Sequence, residues 1–150
     1  MYPLGHSGIT LWSARKVEPK IDWRLPVFLA LLPDLIDKPI AWIFPAWVNG
    51  STRGYAHTFL AWVVVALLLA AFRRRWARPW LLWACFAGHA VLDMMWTGDS
   101  RIIFAWPLLG PFPPPRLGGL WSVSRTVNAC GEVLGLALLV SLLLQKRRAD

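Results

Sequence analysis

Four apolar segments of nearly membrane-spanning length constrain this chain more than any other feature of its sequence. They cover about residues 25–47, 56–72, 79–97 and 126–145. A helix needs about 20 predominantly apolar residues to cross a hydrocarbon core of about 30 Å. Because 57% of the 150 residues are hydrophobic and no break in composition divides them, we expect one integral membrane domain over residues 1–150. The predicted fold is an all-α membrane protein, a bundle of four transmembrane helices.

Three departures from regular spanning helices are expected. The first segment has several internal prolines, and we predict that its helix is broken at Pro33, within "LPDLIDKP". The N-terminal stretch around "GHSGIT" is too short to span, so it is predicted to pack back against the bundle as a half-helix. Residues 98–125, rich in Pro, Gly and aromatic residues, form either a lid or an interfacial loop.

The basic residues predict the orientation of the chain. Eleven of the 16 Lys and Arg residues lie in three short clusters, which precede the first segment, join the second to the third, and follow the fourth. By the positive-inside rule that side is cytoplasmic, so both termini of a multi-pass protein are expected there. Clusters between apolar runs are typical of membrane loops, and they argue against nucleic acid as the partner that explains the net charge of +8.

Several ionisable side chains lie inside the apolar segments, where each costs about 2.5–3.5 kcal/mol on insertion scales and therefore indicates function. At about 1.5 Å of rise per residue from the flanking basic clusters, these side chains reach one common layer slightly outside the midplane. That layer contains Asp34, Asp37, His57, His89, Asp93 and Glu132. If the N-terminal half-helix packs against the bundle, His6 reaches a similar depth.

The spacing of these residues favours a metal site. His89 and Asp93 are four residues apart, and Asp34 and Asp37 are three apart, so each pair can project from one face of a helix. Imidazole and carboxylate on one face can both donate electron pairs to a divalent cation, which neutralises the buried negative charge.

Other interpretations of the same residues remain open. His89 and Asp93 could form a polar clamp between helices. The two aspartates of the first segment could cap a helix break or pair with Lys38. Glu132 could donate or accept a hydrogen bond to a neighbouring helix instead of acting in catalysis.

The motifs "GHSGIT", "LPDLID", "RGYAHTF", "GHAVLD" and "WPLLGPF" occur in this order between residue 5 and about residue 112. Together they resemble the YdjM-like family of bacterial inner-membrane proteins, described as membrane-bound metal-dependent hydrolases. The resemblance implies a location in the bacterial inner (cytoplasmic) membrane. It also implies metal ligation by His6, Asp34, Asp37, His57, His89 and Asp93. This chain has Thr52 where the family commonly has a histidine.

The resemblance and the polar layer together predict a metal-dependent hydrolase that cleaves a phosphoester of a membrane lipid or a lipid-linked substrate. The H-x-x-x-D pattern is also similar to that of zinc-dependent phospholipases C. Mixed nitrogen and oxygen ligands favour one or more Zn²⁺ ions, ahead of Mn²⁺ or Fe²⁺. In this prediction Asp37 or Glu132 accepts the proton of an activated water, and Arg53 and Arg101 hold the phosphate.

Two other function classes fit the same pattern. Intramembrane His and Asp residues also serve small ion transporters and proton-coupled transporters, and a transporter of this size would be expected to act as a homo-oligomer. A non-catalytic membrane adaptor could use the polar layer only to hold its helices together.

Overall fold

The computed structural model describes residues 3–48, 51–72, 78–97, 100–110 and 125–149, and every regular element in these ranges is helical. The α-helices are α1 (Pro3–Val17), α2 (Arg24–Ile43), α3 (Phe59–Ala71), α4 (Pro79–Leu92), α5 (Ser100–Phe104) and α6 (Arg125–Ala149). Two 3₁₀ turns, Pro45–Val48 and Tyr55–His57, lie between α2 and α3. The prediction of an all-α protein is confirmed.

Within the described ranges, α6 is the one helix that is both long enough and apolar enough to cross a membrane. Its apolar stretch covers Thr126–Gln145, and only 17% of the most apolar part is buried against the rest of the chain. The apolar helices α3 and α4 have 13 and 14 residues, fewer than the roughly 20 of a regular span. The four-helix transmembrane bundle and the multi-pass orientation therefore stay predictions.

Helix α2 is not broken at Pro33, contrary to the prediction. It continues for 20 residues through Pro33 and Pro39 and ends at Ile43. A proline keeps a helical φ and removes only one hydrogen bond, which a helix tolerates where neighbouring groups satisfy its backbone. The carbonyl that loses its amide partner at Pro33 is that of Leu29. The next carbonyl, that of Ala30, accepts a hydrogen bond from Nδ1 of His89 at 2.6 Å. This bond fastens the proline-containing turn to α4.

The predicted N-terminal half-helix is present as α1, which packs mainly against α6. The two backbones touch at Gly8 and Gly135. A Cβ on Gly8 would lie 2.1 Å from the carbonyl oxygen of Gly135, and a Cβ on Gly135 would lie 2.3 Å from that of Leu4. Only glycine permits this approach, which is typical of helix pairs in membranes.

The apolar core lies between α1, α2 and α4. Its fully buried members are Ala14, Leu29, Leu81, Leu82, Cys85 and Phe86, and α3 covers this cluster from one side. Of the predicted outer loop, the structure describes α5 and the turn that follows it, while residues 111–124 lie outside the described residues. The interpretation of the loop as a lid therefore stays a prediction.

Helix α4 ends at Asp93, one of the ionisable residues that the sequence predicts as a metal ligand. The amide of Met94 donates to the Val91 carbonyl and the amide of Met95 donates to the Ala90 carbonyl, both at 3.0 Å. This pair of bonds is the Schellman arrangement, and its left-handed position is taken by Met94 with φ +51°. Asp93 is therefore the C-cap of α4, and its carboxylate stands at the end of the helix.

Candidate metal centre

The predicted histidines and aspartates come together from four separate elements. Helix α1 contributes His6, α2 contributes Asp34 and Asp37, the second 3₁₀ turn contributes His57, and α4 contributes His89 and Asp93. Two groups of three could hold a metal ion, and the candidate ligand atoms of each lie within 4.8 Å of one another. The groups are His6, His89 and Asp93, and Asp34, His57 and His89.

The rings of His57 and His89 are each oriented by a hydrogen bond at Nδ1. Nδ1 of His57 lies 2.6 Å from Oδ2 of Asp37, and Nδ1 of His89 lies 2.6 Å from the Ala30 carbonyl. A carbonyl oxygen can only accept, and so can an ionised carboxylate, so both Nδ1 atoms carry a proton. In its neutral form each ring presents the lone pair of Nε2 to the interior of the site, whereas a protonated His57 would donate from Nε2 to His89.

These two lone pairs face each other, because the Nε2 atoms of His57 and His89 are 3.1 Å apart. Oδ1 of Asp34 lies 3.7 Å from the first and 3.9 Å from the second. When both rings are neutral, three electron-pair donors face one another, and a cation or a proton among them removes their repulsion. Two nitrogens on one zinc ion are roughly 3.3 Å apart at ordinary bond lengths. The residues of this group therefore fit a divalent cation.

The second group places His6 beside His89. The two rings stack with centroids 4.0 Å apart, and Nε2 of His6 lies 3.2 Å from Oδ1 of Asp93. His6 is fully buried, and neither of its ring nitrogens has a hydrogen-bond partner of acceptable geometry among the described residues. Buried polar atoms without such a partner are rare in proteins, and a bound cation would satisfy one of these nitrogens. Because neutral His89 offers a single lone pair, it can bind one ion at a time.

Asp37 is completely buried but belongs to neither group. In addition to His57, its carboxylate accepts hydrogen bonds from the amides of Gly54 at 2.8 Å and Ala56 at 3.1 Å. A Cβ on Gly54 would lie 3.1 Å from Oδ1 of Asp37, so glycine allows this close approach. These contacts leave the roles predicted for Asp37, ligand and proton acceptor, as predictions, although its oxygens already hold three protein donors. They fit a carboxylate that orients a ligating histidine.

Asp34 is the carboxylate of the centre that approaches the surface, since 12% of its side chain is exposed. Its Oδ2 lies 2.7 Å from Nζ of Lys38, one helical turn further along α2. The pairing with Lys38, which the sequence leaves open, is thus present, and Oδ1 still faces the two histidines.

Asp93 is shared between His6 and Arg53. The guanidinium of Arg53 donates from Nε at 3.2 Å and from Nη2 at 3.1 Å to Oδ2 of Asp93, and from Nη1 at 3.0 Å to Oγ of Ser100. The Arg53 side chain is 18% exposed. Of the two arginines predicted to hold phosphate, Arg53 therefore reaches the centre, whereas Arg101 is exposed on α5.

Glu132 does not join the centre. Its Oε1 accepts from the amide of Gly5 at 2.8 Å and its Oε2 from the amide of Leu4 at 3.3 Å, so it caps the N-terminus of α1. This is the hydrogen bond to a neighbouring helix that the sequence leaves open as the alternative. Glu132, one of the two carboxylates predicted as the proton acceptor, therefore stabilises α1, the helix that contributes His6.

Sequence reasoning missed the groups that orient the ligands. These are the Ala30 carbonyl, the amides of Gly54 and Ala56, and the hydroxyl of Ser100. Most are backbone groups, which every residue has, so no signal in the sequence could identify them. Thr52, which replaces the histidine common in the family, is exposed.

The chain was also compared with known proteins. No curated protein and no solved structure matches it. The family model described as YdjM inner membrane protein matches residues 1–149, which includes all six histidines and aspartates that converge between α1, α2 and α4. The match covers nearly the whole chain, and the chain therefore belongs to the YdjM family of inner membrane proteins.

Proposed function

We propose that this protein is a membrane-embedded, metal-dependent hydrolase that cleaves a phosphoester of a lipid or lipid-linked substrate. The observation that carries the proposal is the pair of inward-facing Nε2 atoms of His57 and His89, 3.1 Å apart with Asp34 beside them. When both rings are neutral, the tautomers fixed by Asp37 and Ala30 leave both Nε2 atoms as acceptors, and two acceptors with the Asp34 carboxylate beside them suit a bound cation.

Five side chains would hold the ion or ions: His6, Asp34, His57, His89 and Asp93. The mixed set of imidazole and carboxylate favours Zn²⁺, with Mn²⁺ and Fe²⁺ as alternatives. A divalent cation bound here would acidify a water molecule and polarise a phosphoryl oxygen. Asp37 holds the imidazole of His57 in the tautomer and direction that this binding requires.

When the ion is held by His6, His89 and Asp93, Asp34 is not a ligand, and it is then the carboxylate of the centre best placed to accept the proton that water loses during hydrolysis. Its carboxylate is partly exposed and faces the histidines, so both water and substrate can reach it. Lys38 lies against the other oxygen of this carboxylate. In this proposal Asp34 takes the role that the sequence assigns to Asp37 or Glu132.

Arg53 supplies the contact for the phosphate. Its guanidinium is partly exposed and lies at the edge of the centre, held by Asp93 and Ser100. A guanidinium recognises phosphate oxygens through two parallel hydrogen bonds. Because Asp93 already fixes the side chain, little conformational entropy is lost when the phosphate binds.

A surface groove supports a substrate with a hydrocarbon chain. The groove has a volume of about 460 Å³ and is almost entirely apolar. It begins at Tyr55 and Ala56, directly before His57, and continues along α3 past Ala61 and Val64 to Leu68. In this proposal the substrate places its phosphate at Arg53 and one hydrocarbon chain in the groove, whose lining begins two residues after Arg53 at Tyr55.

The first test is elemental analysis of the detergent-purified protein beside the double variant His89→Ala, Asp93→Ala. The wild type is expected to contain near-stoichiometric metal, and the double variant to lose it while its helix content by circular dichroism is unchanged. Asp22→Asn, at an exposed site on the loop before α2, is the control that should keep its metal. A metal-free wild type that cannot be loaded with Zn²⁺, Mn²⁺ or Fe²⁺ would contradict the proposal.

The second test separates an enzyme from a transporter or an adaptor. Metal-loaded protein is incubated with a lipid extract, with defined phospholipids and with a polyprenyl phosphate, and the released products are identified by mass spectrometry. The proposal requires a phosphate-containing or dephosphorylated product that the double variant does not form. Bound metal without turnover of any of these lipids would favour transport instead.

A further inference from the structure

A second pocket lies at the other end of α1, far along the helix from His6. It has a volume of about 350 Å³ and lies between the end of α1 and the end of α6. Its lining residues are Trp12, Arg15, Lys16, Pro19, Leu142 and Gln145. Among the lining residues that the structure describes, two of six are cations and none is an acid, so this part of the pocket has a positive charge of its own.

The cations of this pocket are not neutralised by the nearest acidic residue of the same segment. Glu18 makes an ion pair with Arg78, with Oε2 and Nε 2.9 Å apart. Lys16 lies over the ring of Trp12, with Nζ 5.2 Å from the centroid. The Nε atom of Arg15 is buried and has no hydrogen-bond partner among the described residues. Because Arg15 lines the pocket, a ligand there would contact the other nitrogens of its guanidinium, which recognises phosphate oxygens.

The depth of the pocket in the membrane follows from the position at which the candidate membrane span of α6 ends. That span ends at Gln145, and Gln145 lines the pocket. The pocket therefore lies where a spanning helix leaves the hydrocarbon, which is the level of the phospholipid headgroups. Tryptophan and basic residues are typical of this level, and Trp12 with Leu142 gives the pocket an apolar wall next to its cations.

From this combination we propose that the pocket between α1 and α6 binds the phosphate headgroup of an anionic membrane phospholipid. Arg15 donates to the phosphate oxygens, Lys16 adds a second positive charge, and the apolar wall contacts the upper part of the lipid. Basic pockets between helices at a membrane surface recognise anionic lipids in this way. The site is separate from the metal centre and does not depend on hydrolysis.

The test compares lipids that differ only in headgroup charge. Thermal midpoints of the purified full-length protein in detergent are measured while phosphatidylglycerol or phosphatidylcholine with identical short acyl chains is added. Phosphatidylglycerol is expected to raise the midpoint at lower concentration than phosphatidylcholine. In Arg15→Gln the half-maximal concentration of phosphatidylglycerol should rise roughly fivefold, the effect of one lost basic contact.

Two variants and one further ligand complete the experiment. Arg24→Gln removes the same charge from an exposed arginine that lies over Trp23 outside the pocket, and it should respond to phosphatidylglycerol like the wild type. Arg15→Lys keeps the charge without the guanidinium fork and should lie between the wild type and Arg15→Gln. An equal response of the wild type and Arg15→Gln would overturn the proposal. Equal stabilisation by inorganic phosphate would also overturn it, because the site would then bind a free anion.

Discussion

His57 and His89 point their Nε2 atoms at each other across 3.1 Å, and each ring is held by a hydrogen bond on its opposite side. The acceptors of those bonds, the Asp37 carboxylate and the Ala30 carbonyl, lie on α2. One helix thus determines the tautomer and direction of two histidines that come from other parts of the chain.

Replacing Asp37 by Asn should weaken metal binding without removing a ligand. The neutral amide orients and polarises His57 less well than a carboxylate does, and losses of such partners typically lower metal affinity about 10–100-fold. Competition with a chelator of known affinity measures the change. Asp22→Asn is the matched control, since the exposed Asp22 only accepts from the amide of Arg24. If both variants bind metal like the wild type, Asp37 does not act through His57.

Replacing Arg53 should lower turnover more than replacing Arg101. Arg53→Gln removes a guanidinium that lies beside Asp93, and we expect kcat/KM for a phospholipid substrate to fall by about tenfold or more. Arg101→Gln, on the exposed side of α5, should cost much less. Initial rates at several substrate concentrations give both values. A larger loss in Arg101→Gln than in Arg53→Gln would mean that α5, not the centre, holds the phosphate.

Glu132→Ala should destabilise α1 by about 1 kcal/mol, because two amides at its N-terminus lose their acceptor. Glu132→Gln keeps one carbonyl oxygen and should cost less. His6 directly follows Gly5, whose amide donates to Glu132. Metal retention should therefore be lower in Glu132→Ala than in Glu132→Gln. Chemical denaturation and elemental analysis measure the two effects. Metal retention that is independent of residue 132 would show that His6 is held by other contacts.

The contact between α1 and α6 should not accept a methyl group. Gly135→Ala places its Cβ against the Leu4 carbonyl at 2.3 Å, and overpacking of this kind costs about 1–3 kcal/mol. Gly88→Ala is the control, since no neighbouring atom lies within 4 Å of a Cβ there. In a helix interior that change should stabilise by about 0.5–1 kcal/mol. Thermal midpoints of the two variants should therefore move in opposite directions.

Met94→Gly should stabilise the end of α4. Met94 has φ +51°, a left-handed conformation that costs a residue with a Cβ roughly 1–2 kcal/mol. Glycine adopts it freely, and the half-exposed methionine side chain loses little packing. We expect a gain of about 1 kcal/mol in the free energy of unfolding. A lower midpoint for this variant would mean that the methionine side chain contributes packing that outweighs the strain.

The sequence predicts that the candidate ligands lie close together, but it does not predict which of them can bind a metal ion and which orient other side chains. Asp34, His57 and His89 can be expected to meet because ionisable groups in apolar segments turn inward and because their distances from the flanking basic residues agree. Asp34 and Asp37 look equivalent in sequence, three residues apart in one helix. Only the loop that folds over Asp37, with the amides of Gly54 and Ala56, separates a candidate ligand from a group that orients one.

The departures from prediction have a common physical origin in contacts between distant segments. The continuity of α2 through Pro33 goes with a contact to α4, and the role of Glu132 depends on which helix passes beside it. Both require knowledge of how helices pack, which local spacing does not contain. The pairing of Arg53 with Asp93 likewise joins residues 40 positions apart.

The packing of α1 on α6 also has a consequence for biosynthesis. Glu132 and Gly135 belong to α6, and they hold α1, the helix that contributes His6. A ribosome releases α1 long before it has made α6, and until then His6 lacks its support. The Asp34, His57 and His89 group can form before α6 is made, so the two candidate metal-binding groups should assemble in two stages, with the second awaiting translation of α6.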